Sequence, residues 1–265
     1  MSEALWRLSV FIGVLLIMVL WEVLSPKRSP RYSRRQRWPA NLAIVAVDTV
    51  LLRIIAPLGL TGVALFASDN NWGFFNRLSG VELPFWLTIT VSVVVLDIAI
   101  YWQHRLFHRV PVLWRLHRVH HADPDFDVTT GLRFHPAEIV LSFVIKAAVV
   151  LALGAPALAV ILFEIILNAC SLFNHGNVAL PQPVEAVVRK VLITQELHRI
   201  HHSVEKEETN SNYGFSVSWW DHLFGSFTAK PKAGSNKIDV GLKEYRDSKV
   251  TTKLWGLLKI PFKSR

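Results

Sequence analysis

The sequence predicts an all-α integral membrane protein: about three transmembrane helices, a helical membrane hairpin and a cytoplasmic, helical, histidine-rich cap. Three observations predict it. Apolar residues make up 51% of the 265 residues, charged ones only 18%, and the mean hydropathy is +0.32, too oily for a soluble domain of this length. The apolar residues are gathered in runs of about twenty, the length that crosses hydrocarbon as a helix. All eleven histidines fall between His104 and His222, in groups with helical spacing.

Taken in order, the first apolar run is Leu5 to Leu24. It lacks a small-residue cleavage site and a basic stretch follows at once, so it is expected to remain as an anchor rather than be cleaved. The second run is Leu42 to Ala67 and the third Pro84 to Trp102. Ile139 to Phe173 is long enough to cross twice, and Gly154-Ala155-Pro156 interrupts it near its middle. Such a sequence ends a helix, so this run reads as a helical hairpin whose arms are somewhat short for full spans. Trp21, Trp38, Trp72, Trp86 and Trp102 stand near segment ends, where aromatic side chains gather at the membrane–water boundary.

The formal charge is +9, and Lys27, Arg28, Arg31, Arg34, Arg35 and Arg37 fall within one short stretch after the first run. Basic residues next to a membrane segment stay on the cytoplasmic side. The second segment then crosses outward, Ser68 to Leu83 is an outer loop, and the third returns near Gln103. The hairpin leaves from and returns to the cytoplasmic face, so every histidine lies on that side. No nucleic-acid-binding motif accompanies the charge, and no nucleic-acid partner is expected. The single cysteine, Cys170, excludes an intramolecular disulfide and an iron–sulfur cluster held by four cysteines. Arg105, Arg109, Arg115, Arg118 and Arg199 stand beside the histidines, with lipid phosphates or the cytoplasm as their expected surroundings.

One word is written twice: His-Arg-Val-His-His from His117 and His-Arg-Ile-His-His from His198. Residues three and four apart share a helix face, so His117, His120 and His121 project together, as do His198, His201 and His202. His104 and His108 form an i, i+4 pair on the continuation of the third membrane helix, with Asp97 and Tyr101 on the same stripe. Eight imidazoles are too many for one ion, which makes two metals the natural count, with His175 of Phe-Asn-His-Gly-Asn as the further ligand. A lone buried histidine is ordinarily a hydrogen-bonded core residue, and low-complexity histidine tracts do not keep helical register. The repeated spacing separates these residues from both.

Imidazole suits zinc, copper, iron and nickel alike, so ligand type leaves the metal open. Asp97, Asp123, Asp127, Glu138, Glu196 and Asp221 are available to accept the second ring N–H of the ligands. Asp97 and Asp221, in strongly apolar surroundings, are the stronger candidates.

The order His104-X3-His108, His117-X2-His120-His121, His198-X2-His201-His202 resembles the fatty acid hydroxylase superfamily, or sterol desaturase family, of membrane-bound di-iron oxygenases. The words DIAIYWQHRLFH, LHRVHH, RFHPAE, FNHGN, HRIHH and NYGFSVSWWDHLFGSF also look like it, over about Pro84 to Thr228. One departure is Thr194-Gln195, where the family often has Thr-Pro. The resemblance implies two Fe ions held by His104, His108, His117, His120, His121, His175, His198, His201 and His202, with zinc a possible substitute in purified protein. It also implies that Asp97, His135, Asp221 and His222 line or buttress the catalytic site.

The implied reaction is O2-dependent hydroxylation or desaturation of a C–H bond in a sterol, fatty acyl, carotenoid or ether lipid. A site on helices that continue from membrane spans suits a lipid substrate already in the bilayer. The chain has no cytochrome b5-like, dinucleotide-binding or ferredoxin-like motif, so an external ferredoxin or cytochrome b5 type donor, with its reductase, is expected. Residues 1–83 are then N-terminal anchor helices, 84–228 the catalytic domain and 229–265 a basic cytoplasmic tail, in a bacterial inner membrane or a eukaryotic endomembrane. Two other classes of function use the same residues. A membrane-embedded di-zinc hydrolase would turn over without O2 or reductant, and a metal transporter or sensor would need ionisable groups along the spans, which are few.

Overall fold

The computed structural model describes residues 3–78 and 83–263; residues 79–82 of the expected outer loop and the final Ser264 and Arg265 lie outside the described residues. Among the described residues the regular structure is helical, and the β-type pairings are two isolated bridges, Leu192 with Val217 and Ser203 with Val240.

Helix α1 is Glu3–Leu24, α2 Arg34–Ile55, α3 Gly59–Asp69, α4 Phe85–Arg109, α5 Pro111–His121, α6 Pro136–Leu153 and α7 Ala157–Asn174. Among the described residues five stretches are long and apolar enough to cross a membrane: Leu5–Leu24, Arg34–Asp69, Phe85–Arg109, Pro136–Leu153 and Ala157–Asn174. Leu5, Leu8, Leu16 and Leu20 of α1 are all more than half exposed, as suits a helix whose outer surface meets lipid rather than water. The second stretch is broken, because Pro57 has no N–H and drives Ala56 out of the helical region, to φ −138°. The hairpin turn is where the sequence places it. Gly154 adopts φ +65°, and a Cβ there would sit 2.7 Å from Asn76 Nδ2 and 2.8 Å from the Trp72 carbonyl, so the hairpin tip is pressed against the loop that follows α3. Phe74 N donates to the Ala152 carbonyl at the same place.

At the other end the helix termini converge. Helix α4, of 25 residues, is about 37 Å long, longer than the hydrocarbon layer, and carries His104 and His108 in its last turns. The end of α1 meets the end of α7 through Lys27 N and the Asn177 carbonyl, 2.8 Å. Glu22 Oε1 accepts from both Val128 N and Asn177 N at 2.7 Å. In the membrane bundle, Arg7 Nη2 and Glu164 Oε2 pair at 2.5 Å between α1 and α7. Leu60, Leu96, Ile100, Val150, Val160 and Phe163 form the apolar core between α3, α4, α6 and α7.

The cap is made of short helices, α8 (Gln182–Val188), α9 (Gln195–His201), α10 (Lys206–Thr209), α11 (Trp219–Leu223), α12 (Ser248–Thr251) and α13 (Leu254–Lys259). Such pieces are too short to be stable alone and depend on packing. Residues 242–263 lie against α2 and α5, where Leu242, Tyr245, Leu257 and Ile260 pack with Ala40, Ile44, Val119 and Ala122. Four arginines, Arg37, Arg118, Arg133 and Arg199, are the largest fully buried side chains. Arg37, in the basic stretch after α1, donates to both oxygens of Asp123 (2.9 and 2.7 Å) and to Asp127 Oδ2 (2.6 Å). A buried guanidinium is tolerable because its donors are met by carboxylates. Arg118 donates to the carbonyls of Ile260 (2.6 Å) and Lys263 (2.8 Å), and Arg133 to those of Val119 (2.9 Å) and Thr251 (2.7 Å). Arg118 and Arg199 therefore do not face lipid phosphates or the cytoplasm.

Candidate metal centre

In an α-helix successive side chains turn by about 100°. Positions i and i+4 thus lie about 40° apart, while i+3 sits about 60° to the other side of i. The two copies of the histidine word use this splay. From α5, His117 and His121 turn toward His104 and His108 of α4, while His120 turns away; from α9, His198 and His202 join His120 and His175, while His201 crosses to the first set. The nine histidines singled out from the sequence thus make two groups: His104, His108, His117, His121 and His201, and His120, His175, His198 and His202. Within each, the nitrogens lie within 4.8 Å of one another. Each copy gives two rings to one group and its third ring to the other, in opposite sense.

Ring nitrogens approach to hydrogen-bonding distance, with donor and acceptor roles set by the tautomers: His104 Nε2 to His117 Nε2 3.1 Å, His120 Nε2 to His175 Nε2 3.1 Å, His198 Nε2 to His175 Nε2 2.9 Å. Two imidazoles bound at about 2.1 Å to one ion at right angles would have nitrogens about 3.0 Å apart. Nε2 of His108, His121, His201 and His202 is buried with no protein partner, as is Nδ1 of His120 and His198. Buried polar atoms left unpaired are costly, and a divalent cation satisfies several at once. The donor set therefore fits metal. Burial lowers the pKa of His117 to about 3 and of His175 to about 4, and holds His120, His121, His198, His201 and His202 well below the usual imidazole range, with neighbouring histidines adding to the effect. The rings are neutral, the form that ligates.

The outward nitrogens are fixed mainly by backbone. His104 Nδ1 meets the Tyr213 carbonyl, His175 Nδ1 the Ser171 carbonyl and His201 Nδ1 the Ser211 carbonyl, each at 2.7 Å. Of the six carboxylates expected to serve this purpose, only Glu138 does so, accepting from His117 Nδ1 at 2.6 Å. Asp123 and Asp127 are occupied by Arg37, and Glu196 by Arg199 at 2.8 Å. Two of these carbonyls, of Ser211 and Tyr213, lie on the loop that follows the second histidine word, and the third, of Ser171, on the last turn of α7. Gly131 belongs to this fit: a Cβ there would lie 2.9 Å from the Ser171 carbonyl oxygen and 3.0 Å from His175 Nδ1. The walls are aromatic. Phe134 stacks on His120 at 4.4 Å and 11°, Phe215 lies 4.8 Å from His104, Trp114 4.9 Å from His108, and Phe126 5.2 Å from His202. Reading by residue type misses these aromatics, which bear no ligand atom; the only signal for two of them is position, Phe134 within RFHPAE and Phe215 within NYGFSVSWWDHLFGSF.

Asp97, His135, Asp221 and His222 belong to neither group. Asp221 accepts from Tyr213 N (2.7 Å), Gly214 N (2.8 Å) and Ser226 Oγ (2.6 Å), holding the loop whose carbonyl meets His104. Burial raises its pKa to about 6, against those hydrogen bonds. Asp97 accepts from Trp220 Nε1 at 2.7 Å and joins α4 to the same segment. His135 caps α6, its Nδ1 accepting from Ala137 N at 3.1 Å. His222 is exposed and stacks on Phe227 at 3.8 Å. At the Thr194-Gln195 departure, Thr194 caps α9 through its hydroxyl and Leu197 N, 3.4 Å, and the helix starts without proline.

A buried, two-group histidine centre at the converging ends of apolar helices defines a membrane metalloprotein. The chain belongs to the fatty acid hydroxylase family, whose model matches residues 89–226. It is 26% identical to the ornithine lipid hydroxylase of Rhizobium tropici over 89% of this chain and 71% of that protein. It is 27% identical to human alkylglycerol monooxygenase over 66% of this chain, which spans 34% of that longer protein. With the Δ7-sterol-C5(6)-desaturase of Nicotiana tabacum the identity is 26% over 88% of this chain and 86% of the relative. These relatives are oxygen-dependent oxidoreductases, and the chain is an enzyme of that kind. No solved structure matches it.

Proposed function

We propose that this protein is a membrane-bound di-iron oxygenase that hydroxylates or desaturates a C–H bond of a membrane lipid, using O2 and electrons from an external carrier. The single observation that carries the reading is the pair of adjoining all-imidazole groups, five rings and four, on helices continuous with apolar spans. Two iron ions held there would supply the O2 chemistry that attacks an unactivated C–H bond. The nine histidines hold them as neutral ligands. Glu138 and the carbonyls of Tyr213, Ser171 and Ser211 fix the protonated nitrogens of four rings and so orient them. Phe134, Phe215, Phe126 and Trp114 keep water from the rings. Asp97 and Asp221 position the segment 212–226 over α4, while His135 and His222 act on the fold around the site rather than on the metals.

A lipid enters from the bilayer with its tail between the apolar helices, and the cap faces the cytoplasm, where Lys27, Arg28, Arg31 and Arg35 hold the topology. Residues 1–83 anchor the chain, 84–228 carry the chemistry and 229–265 close the cap. The relatives that match most of this chain are named for an ornithine lipid and a sterol, which supports a polar or sterol lipid in this position. The test is metal content with Mössbauer spectroscopy on protein produced in iron-57 medium and handled without air. About two irons per chain that oxidise together on adding O2 is the expected result. Two tightly held zincs under iron-replete growth, with activity indifferent to O2, would overturn it in favour of hydrolysis.

A further inference from the structure

If the centre is an oxygenase, as just proposed, electrons must reach it from outside the chain, and one cavity combines the charge and the proximity that this requires. Between the segment after α1 and residues 124–127 lies a cavity of about 310 Å³, with Arg28, Arg31, Arg34, Asn177 and Asp239 among its lining and Phe126 at its wall. Phe126 is 6% exposed. Its ring centroid lies 5.2 Å from that of His202, 5.6 Å from His175 and 6.3 Å from His198, three of the four members of the second histidine group. One aromatic ring therefore separates that group from a surface cavity. Two further cavities lie elsewhere, beside Arg7 and Glu164 and beside Trp72 and Ala152.

The rim is basic. Among the described residues the Arg28 side chain meets no carboxylate; Arg31 is 47% exposed and reaches Asp239 at 3.5 Å; Arg34 donates to the Glu22 carbonyl at 3.0 Å. The acidic groups in the lining are largely occupied: Asp125 accepts from Arg31 N (2.5 Å) and Tyr32 N (2.9 Å), and Asp127 from Arg37 (2.6 Å). Behind the ring, the buried Arg199 guanidinium lies 5.3 Å from Phe126, with Nε and Nη2 unpartnered. Positive charge thus stands on both sides of the aromatic contact.

We propose that this arginine-rimmed cavity is the docking site of an acidic, soluble one-electron carrier protein, and that its electrons pass through Phe126 to the second histidine group. Each encounter oxidises the carrier by one electron and reduces the metal centre by one. Two encounters supply the two electrons which, with two protons from solvent, O2 and one C–H bond, balance to one C–OH and one water. Electrostatic steering by the rim sets the association rate and makes it fall with ionic strength.

The test uses the full chain in lipid nanodiscs, with the acidic haem domain of a cytochrome b5 and an acidic [2Fe–2S] ferredoxin as probes. Titrated against metal-free protein at low salt, at least one carrier should bind, and Arg28→Glu with Arg31→Glu should weaken it about tenfold or more. Arg77→Glu, at the hairpin-tip end, should leave binding unchanged. In iron-loaded protein, Phe126→Leu should keep carrier affinity and reduction by dithionite but slow reduction by the carrier about tenfold in stopped flow. Unchanged affinity in the arginine variant, with wild-type protein reduced normally by the carrier, overturns the docking site and leaves the oxygenase reading standing. Wild-type protein that binds neither carrier overturns the docking site as well. Iron-loaded protein that dithionite reduces but O2 does not reoxidise would sink the oxygenase reading, while the metal-free titration still reads the docking face.

Discussion

The two copies of His-Arg-X-His-His differ in how they are held. The copy on α5 sits on an 11-residue helix that opens with Pro111, where a missing N–H costs nothing. Its arginine, Arg118, ties it to the carbonyls of Ile260 and Lys263, and His117 leans on a carboxylate, Glu138. The copy on α9 sits on a seven-residue helix capped by Thr194, and the loop that follows supports it: the Ser211 carbonyl meets His201, and Asn212 Nδ2 donates to the Leu197 carbonyl at 3.0 Å. Its arginine keeps two donors unpaired. Ligand geometry is repeated because helix periodicity dictates it; the support is not, because each copy meets a different partner of the fold.

The largest expected effect breaks either copy alike. His120→Ala and His201→Ala remove one ring from opposite groups, and each should lower bound metal and turnover by about 100-fold or more, beyond what loss of an outer hydrogen-bond partner costs. Metal analysis and O2 uptake check this; a fully metallated, active His201→Ala variant would remove that residue from the ligand set.

Acid should act on both copies in one direction. Unfolded imidazoles take up protons near pH 6.5, whereas His117 of the first copy does so only near 3, His175 near 4, and burial holds His198, His201 and His202 of the second copy well below the usual imidazole range. The unfolded chain therefore binds more protons in that window. Metal-free protein keeps its full stability above about pH 6.5 and loses it as the pH falls, by about 2 kcal/mol for each such histidine at pH 5. Unfolding midpoints measured from pH 7.5 to 5 without metal should fall steadily; a flat profile would show that the rings are not neutral and buried.

Glu138→Gln sharpens the contrast. It weakens the acceptor at His117 and should cost about 10- to 100-fold in metal affinity, whereas His201 relies on a backbone carbonyl that substitution does not remove. Competition with a chelator measures it. The arginines give the smallest difference: Arg118→Ala should cost about 3 kcal/mol of stability, and Arg199→Ala about 1 kcal/mol, because Arg118 satisfies the buried Ile260 carbonyl and the half-buried Lys263 carbonyl while Arg199 leaves donors unused. Equal shifts in melting temperature would show that the two copies are supported alike.

Much of this is legible in the sequence. Hydropathy places the spans, Gly154 marks the hairpin turn, and the i, i+3, i+4 register brings nine histidines to one end of the bundle. The division into five and four follows from helix geometry once α5 and α9 face each other, but that facing is not written locally. The supporting contacts are less legible still. Arg37 reads as one of six basic residues after a membrane segment, yet it is buried against Asp123, 86 positions away, and Arg118 meets Ile260 across 142. Charge in a sequence signals solvent unless the partner is known, and these partners are remote. Backbone carbonyls, which hold three of the rings, have no letter at all.

Residues 242–263 pack on α5 and meet its arginine only through groups that leave the ribosome after every histidine has emerged. During synthesis the ligands are therefore complete before the cap is shut. The contacts that fix Arg118, and with it the helix carrying the first histidine word, are thus the last to become available as the chain is made.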